Sequence, residues 1–464
     1  MTGNTSWSRA RQPPGVLRGA LLIVLIVTGC HGGGNGCFCS PPTYGIGGTV
    51  NGLVGSRLSL KNNGVTLTGI GYAANGTYPA FDYYLPGTPY SITVGTQPTN
   101  PSQTCVVANG TGTLGNSNVT NIMVTCTTNP ARFVYVVSSG SNDISAYTAD
   151  TTSGALTPIP DSPFSAGNGP DSIAVDPSGK FAYVPNKVDS TISAFTIDRG
   201  TGALVAVSGT PFATGPAPTS IAIDPSSSFV YVTSGSAGTV SAYTITASTG
   251  ALKPVTGSPF AAGAAASSVT VDPSGMFVYV ANQADATISA FALDTSSGAL
   301  TMVSGSPFPT GTDPRSLSVD PSDQYLYVAN ATSNNLSAFS ISGGTGAITA
   351  LSASPFLAGT SPISLAVDPL GNFVYVTNQG SNNTSAYALG SDGILSALAG
   401  SPFAAGGEPS AVAVDPTGSF LYIANASSGN VSVFAITAGT GVLTVVNGSP
   451  YTAGGLPSAI AISD

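Results

Sequence analysis

Phe277-Val278-Tyr279-Val280-Ala281-Asn282 reads as a short strand with two apolar faces. Side chains alternate along a strand, so Phe277 and Tyr279 project to one side and Val278 and Val280 to the other. A sheet built on such a strand must be covered on both faces. The motif recurs seven times, with its tyrosine at Tyr135, Tyr183, Tyr231, Tyr279, Tyr327, Tyr375 and Tyr422, a spacing of 48 residues five times and then 47. A fixed period of this length marks a repeat architecture.

One complete unit holds four short apolar runs, Ser172 to Val175, Phe181 to Val184, Thr191 to Ile197 and Ala203 to Val207, each bounded by turn residues. Four strands per unit with doubly apolar faces predict an all-β, seven-bladed β-propeller of four-stranded blades. The first repeat begins at Arg132 without an inner strand, and the chain ends on Ser458-Ala459-Ile460-Ala461-Ile462, an inner strand with nothing after it. Residues 457 to 463 are therefore expected to pair beside residues 132 to 137 and close the ring, which leaves no open sheet edge.

The recurrent turn Asp176-Pro177-Ser178-Gly179 returns at Asp272 and, with changes, at Asp224, Asp320, Asp368 and Asp415. Asp, Pro and Gly in that order suit a type I turn, so these aspartates are read as structural. Ser-Pro-Phe, ending at Phe164, Phe260, Phe308, Phe356 and Phe403, with a Thr variant at Phe212 and a Tyr variant at Tyr451, is read as packing or turning the outer edge.

The 464 residues are 42% apolar and only 7% charged, with a net charge of −9. Charged residues make up roughly a quarter of an ordinary soluble domain, so Ser, Thr, Asn and Gly must supply the polar surface here. Eleven scattered basic residues provide no stripe for phosphates, which excludes nucleic acid as a partner. The 58 glycines and 35 prolines fall between β-rich runs, as turn chemistry does in an all-β protein.

Arg9, Arg11 and Arg18 precede an apolar run from Gly19 to Val27, too short to span a bilayer but suited to a signal-peptide core. Val27-Thr28-Gly29-Cys30 then resembles the lipobox of bacterial lipoproteins, which implies export and lipidation of Cys30, with the acyl chains as the link to a membrane. The expected organisation is a signal peptide over 1–29, a Gly-rich tether over 30–42, a small β module over 43–128 and the propeller over 130–464. His31, the only histidine, lies in the tether near Cys37 and Cys39, where nothing preorganises a metal site. Cys37 and Cys39 are either bridged or capped. The β module carries Asn-Gly turn signals at Asn63-Gly64 and Asn75-Gly76 and loosely resembles the β-sandwich modules of bacterial surface lipoproteins. Cys105 and Cys126, both in β-like runs of an exported chain, are expected to form a disulfide that adds about 3 kcal/mol in the chain-entropy model.

Phe277 to Asn282, Thr287-Ile288-Ser289-Ala290-Phe291 and the run Pro170 to Pro177 together resemble the lactonase-type, or YVTN-type, seven-bladed propellers over about residues 130 to 464. The resemblance implies the fold and leaves two activities open, since some relatives hydrolyse 6-phosphogluconolactone and others are surface proteins. Loops after the second and fourth strands of a blade lie on one face of the ring, and these vary from blade to blade. A site needs asymmetry, so Asp171, Lys187, Asp189, Asp313, Asn335 and Asn383 are read as its binding face. Arg315 occupies a ring of positions at the channel mouth, and Glu408, the only glutamate in the chain, lies two residues before another of them. A carboxylate base with an arginine to hold an oxyanion would serve lactone opening at these two residues, and the alternative is that both are ordinary loop charges.

No metal-ligand motif appears in the sequence, and no cofactor is expected. Ca²⁺ held by Asp and Asn oxygens around the channel is the one route to a metal. Composition favours a cell-envelope scaffold whose uncharged face binds a glycan, a small molecule or an envelope protein. The alternative is a lactonase resembling the 6-phosphogluconolactone hydrolases.

Overall fold

A computed structural model describes residues 42–53, 58–67, 75–96, 103–128 and 132–463. Cys30, His31, Cys37 and Cys39 lie outside the described residues, as does the expected signal peptide. The chain divides into two compact units, Met1–Asn129 and Pro130–Asp464.

The described part of the first unit is a β-sandwich. One sheet runs Gly76–Tyr84, Tyr44–Asn51, Val119–Thr128, Gln103–Ala108, and the other runs Val65–Thr66, Ser59–Asn62, Pro89–Thr96, Thr111–Thr113. Ile46, Val50 and Val124 from the first sheet share one core with Leu60 and Ile92 from the second. Asn63 and Gly64, with φ of 49° and 83°, make the tight hairpin that their sequence announces. Asn75 does something else: its side-chain amide bonds both backbone groups of Leu53. Cys105 and Cys126 stand directly opposite each other on adjacent antiparallel strands and are bonded.

The second unit is the seven-bladed ring. In blade IV the strands from the channel outward are Ala266–Val271, Phe277–Asn282, Thr287–Leu293 and Leu300–Met302. Phe277 and Tyr279 pack on Leu326 and Val328 of blade V, while Val278 and Val280 pack on Phe229 and Tyr231 of blade III. Each doubly apolar strand thus fills two interfaces, at about 1.5–3 kcal/mol for every large side chain removed from water. Blade I closes the circle by pairing Pro457–Ser463 antiparallel with Arg132–Ser138, Ala461 opposite Tyr135.

The repeated residues are explained by bonds between blades. Tyr279 Oη donates to Gly346 O at 3.0 Å in the next blade, and Tyr135, Tyr183, Tyr231, Tyr327 and Tyr375 make the corresponding bond. Burial first, and nearby carboxylates second, push the Tyr279 hydroxyl pKa upward, so it remains a donor. The acceptor must be glycine: Gly346 has φ of 71°, and a Cβ there would lie 2.2 Å from the Phe277 ring. The turn aspartates are structural, as expected. Asp272 is 1% exposed, and its Oδ1 accepts from the Met276 and Phe277 N–H groups at 2.8 and 2.7 Å.

The outer strand differs from the single run expected. It is two short pieces, Leu300–Met302 and Phe308–Pro309 in blade IV, which pair with opposite ends of the third strand. The gap between them is bridged by the hydroxyl of Ser-Pro-Phe, Ser306 Oγ accepting from Ala290 N at 2.9 Å. All seven blades repeat this bond, Thr210 serving where Ser is replaced.

One turn breaks the pattern. Asp323 occupies the fourth turn position, where four other blades have Gly, and holds a left-handed φ of 65°. Its Oδ2 accepts from Ser274 N of blade IV at 3.0 Å, its Oδ1 is buried without a hydrogen-bond partner, and Asp272 lies beside it. Desolvation, then the Asp272 charge, raise its pKa, with the Ser274 bonds acting in opposition. A raised folded pKa means that the stabilising state is protonated. Its contribution is complete below the unfolded value of about 3.9 and is lost as pH rises through the folded one. Melting temperature is therefore expected to fall over that interval, and Asp323→Asn, which keeps an acceptor for Ser274, should flatten the slope. At pH 7 Asp323→Gly should add roughly 1 kcal/mol by relieving the left-handed backbone, about 1–2 °C in a thermal melt of a unit this large. An unchanged pH profile in both variants would show that the pair does not titrate with folding.

Candidate functional site at the channel mouth

The second strands end in short loops that meet the entries to the inner strands on one face of the ring. Those entries share a backbone conformation. Gly169, Ala217, Ala265, Asp313, Ser361, Glu408 and Leu456, one per blade, all hold left-handed φ between 49° and 64°. Neighbouring loops fix several of them, as when Asn382 Oδ1 accepts from Glu408 N at 2.7 Å. The conformation aims each of these side chains from a fixed rim.

Two residues further on, the ring read from the sequence has a structural function in four blades. Thr219, Ser267, Ser410 and Ser458 each donate a side-chain hydrogen bond to a carbonyl at the entry of the next blade, at 2.9, 2.7, 2.6 and 2.9 Å. Asp171, Arg315 and Ile363 occupy the other three positions and cannot make that bond in the same way. The hydroxyl latch is missing at the places where the repeat puts charge or bulk.

A cavity of about 540 Å³ opens at this mouth, and its wall includes Asp171, Lys187, Arg315, Ile363, Glu408 and Leu456. Serines form much of the rest, and several are occupied: Ser220, Ser316 and Ser364 accept from backbone N–H groups of the following blade. Arg315 Nε donates to Asp313 Oδ1 at 2.6 Å, which orients the guanidinium. Lys187 Nζ lies 3.0 Å from Asp171 Oδ2. Glu408 has no ion-pair partner among the described residues. Of the residues read from the sequence, the cavity thus gathers Arg315, Glu408, Asp171 and Lys187, with Asp313 behind Arg315.

Asp189, Asn335 and Asn383 are placed differently. Asp189 accepts from the backbone and side chain of Asn168 at 2.7 and 2.9 Å, bonds that hold its carboxyl below the usual range. Asn335 and Asn383 accept from Asn330 and Asn378 within their own blades, at 2.9 and 2.8 Å. These three hold loops in shape and do not line the cavity. The sequence places Ile363 in the ring at the channel mouth without a role in the site, and it does not single out Leu456 or the hydroxyl latch, although alignment of the repeats brings all of them into register. Among the described residues, no three His, Cys, Asp or Glu side chains converge closely enough to hold a metal ion.

The architecture is thus a seven-bladed propeller with a charged pocket at one channel mouth. A lactonase, 7-bladed beta-propeller family model matches residues 123–309, 255–363 and 354–456, and the chain belongs to that family. No curated protein sequence matches it. Among solved structures it is similar to a candidate 6-phosphogluconolactonase of Bacteroides fragilis, at 19% identity and a TM-score of 0.65, over 73% of this chain and 99% of that one. It is also similar to the periplasmic gluconolactonase PpgL of Pseudomonas aeruginosa, at 19% identity and a TM-score of 0.62, over 72% of this chain and 99% of that one. At these identities the likeness concerns the fold.

Proposed function

We propose that the propeller hydrolyses a lactone at the channel mouth, with Glu408 as general base and Arg315 binding the oxyanion. The observation that carries this is the convergence of an unpaired carboxylate and an oriented guanidinium on one cavity in a lactonase-family propeller. Family membership and the gluconolactonase neighbour support this reading over the binding scaffold that composition favours.

In the proposed reaction Glu408 accepts a proton from water as the water oxygen attacks the lactone carbonyl carbon. The negative charge that develops on the carbonyl oxygen faces Arg315. Collapse breaks the bond between the acyl carbon and the ring oxygen, and the proton on Glu408 passes to that oxygen. The product is an open hydroxy acid whose ionisation releases one proton at neutral pH.

Proton release from glucono-1,5-lactone, with and without EDTA, compared between the wild type and Glu408→Gln, tests the proposal. A wild-type rate equal to spontaneous hydrolysis on this lactone and on δ-nonalactone alike would remove it. The lipidated Cys30 and its tether complete the proposal as the means of export and attachment, which fractionation of a Cys30→Ala variant tests.

A further inference from the structure

The lactonase reading leaves the substrate open, and the flanks of Glu408 bear on it. Around the ring, Ile363 of blade VI stands on one side of Glu408 and Leu456, at the entry to blade I, on the other, and all three line the cavity. Leu456 is 52% exposed at a left-handed φ of 52°, in a ring position otherwise filled by Gly, Ala, Ser, Asp or Glu. Leucine is a poor choice there on both counts, since the conformation disfavours a bulky side chain and the surface leaves it in water. Ile363 takes a position where four blades keep a hydroxyl that bonds the next blade. Both substitutions give up something in the fold and add apolar surface beside the proposed base.

The cations point the same way. Lys187 and Arg315 are the only basic residues on the cavity wall, and each is already paired, with Asp171 and Asp313 respectively. A phosphate dianion would have to compete with a carboxylate at either one.

We infer, resting on the lactonase reading, that the substrate is a lactone with an apolar substituent next to its ring and no phosphate, the substituent packing against Ile363 or Leu456 at the flanks of Glu408. The ring then sits over Glu408 while the alkyl or aryl group leaves water.

The experiment compares δ-nonalactone with δ-valerolactone, which share a ring and differ by a butyl group, on the purified full chain. Glucono-1,5-lactone and 6-phosphogluconolactone are run alongside. Ile363→Thr and Leu456→Ala each install a residue that other blades hold at the same position, so the ring keeps its fold. The wild type is expected to favour δ-nonalactone in kcat/KM, and the double variant to reduce that preference about tenfold. The phosphorylated lactone should be no better a substrate than glucono-1,5-lactone. Equal use of the two δ-lactones, an unchanged preference in the double variant, or a clear preference for the phosphorylated lactone would overturn the inference. Failure to open any of the four lactones would instead bring down the lactonase reading on which it rests.

Discussion

Removing residues 457–464 is expected to lower the melting temperature by about 10 °C or more, the largest stability change anticipated for this chain. The last strand is the innermost strand of blade I, antiparallel to Arg132–Ser138. Ile460 and Ile462 pack with Val134 and Val136, both fully buried, in the interface with blade VII. At about 1.5–3 kcal/mol for each large side chain exposed, the loss exceeds about 5 kcal/mol before any backbone bond is counted. The truncated chain also presents the open edge of Arg132–Ser138, so association at higher protein concentration should accompany the lower melt. Calorimetry of the truncated protein beside the full chain measures this, and an unchanged melt would mean that the ring does not depend on its closing strand.

Arg315→Ala is expected to lower kcat for lactone hydrolysis by about 10²–10³, the range found when an oxyanion donor is removed. The fold should not suffer. The Arg315 side chain is 39% exposed, its one ion pair is with Asp313 two residues away, and it replaces a hydroxyl latch. Arg315→Lys should recover only part of the rate, because a single ammonium cannot keep the paired geometry that Asp313 imposes on a guanidinium. A purely structural arginine would show the opposite pattern, with rate and melting temperature falling together.

Much of the fold is legible in the sequence because each repeated residue makes a repeated bond. Tyr279, Gly346, Asp272 and Ser306 recur since losing any of them leaves a buried partner unmatched. The site is less legible because polar residues in variable loops have two uses. Asp189, Asn335 and Asn383 look like ligand contacts in a list of loop residues, yet each accepts a hydrogen bond from its own blade, and only three-dimensional register reveals it. Arg315 and Glu408 were found by departure from the repeat. The same test finds Ile363 and Leu456 once apolar residues are allowed to count as departures. Asp323 was equally open to detection, as an aspartate in a glycine slot of the turn.

The central claim is that chemistry resides at Glu408, on the irregular rim of an otherwise regular ring. The direct test is the initial rate of lactone opening, followed by proton release with glucono-1,5-lactone and with δ-nonalactone, for the wild type and Glu408→Gln at equal folded concentration. The expected result is a wild-type rate above spontaneous hydrolysis and a variant slower by about 10²–10⁴, with matching melting temperatures. Equal rates for the two proteins would contradict it.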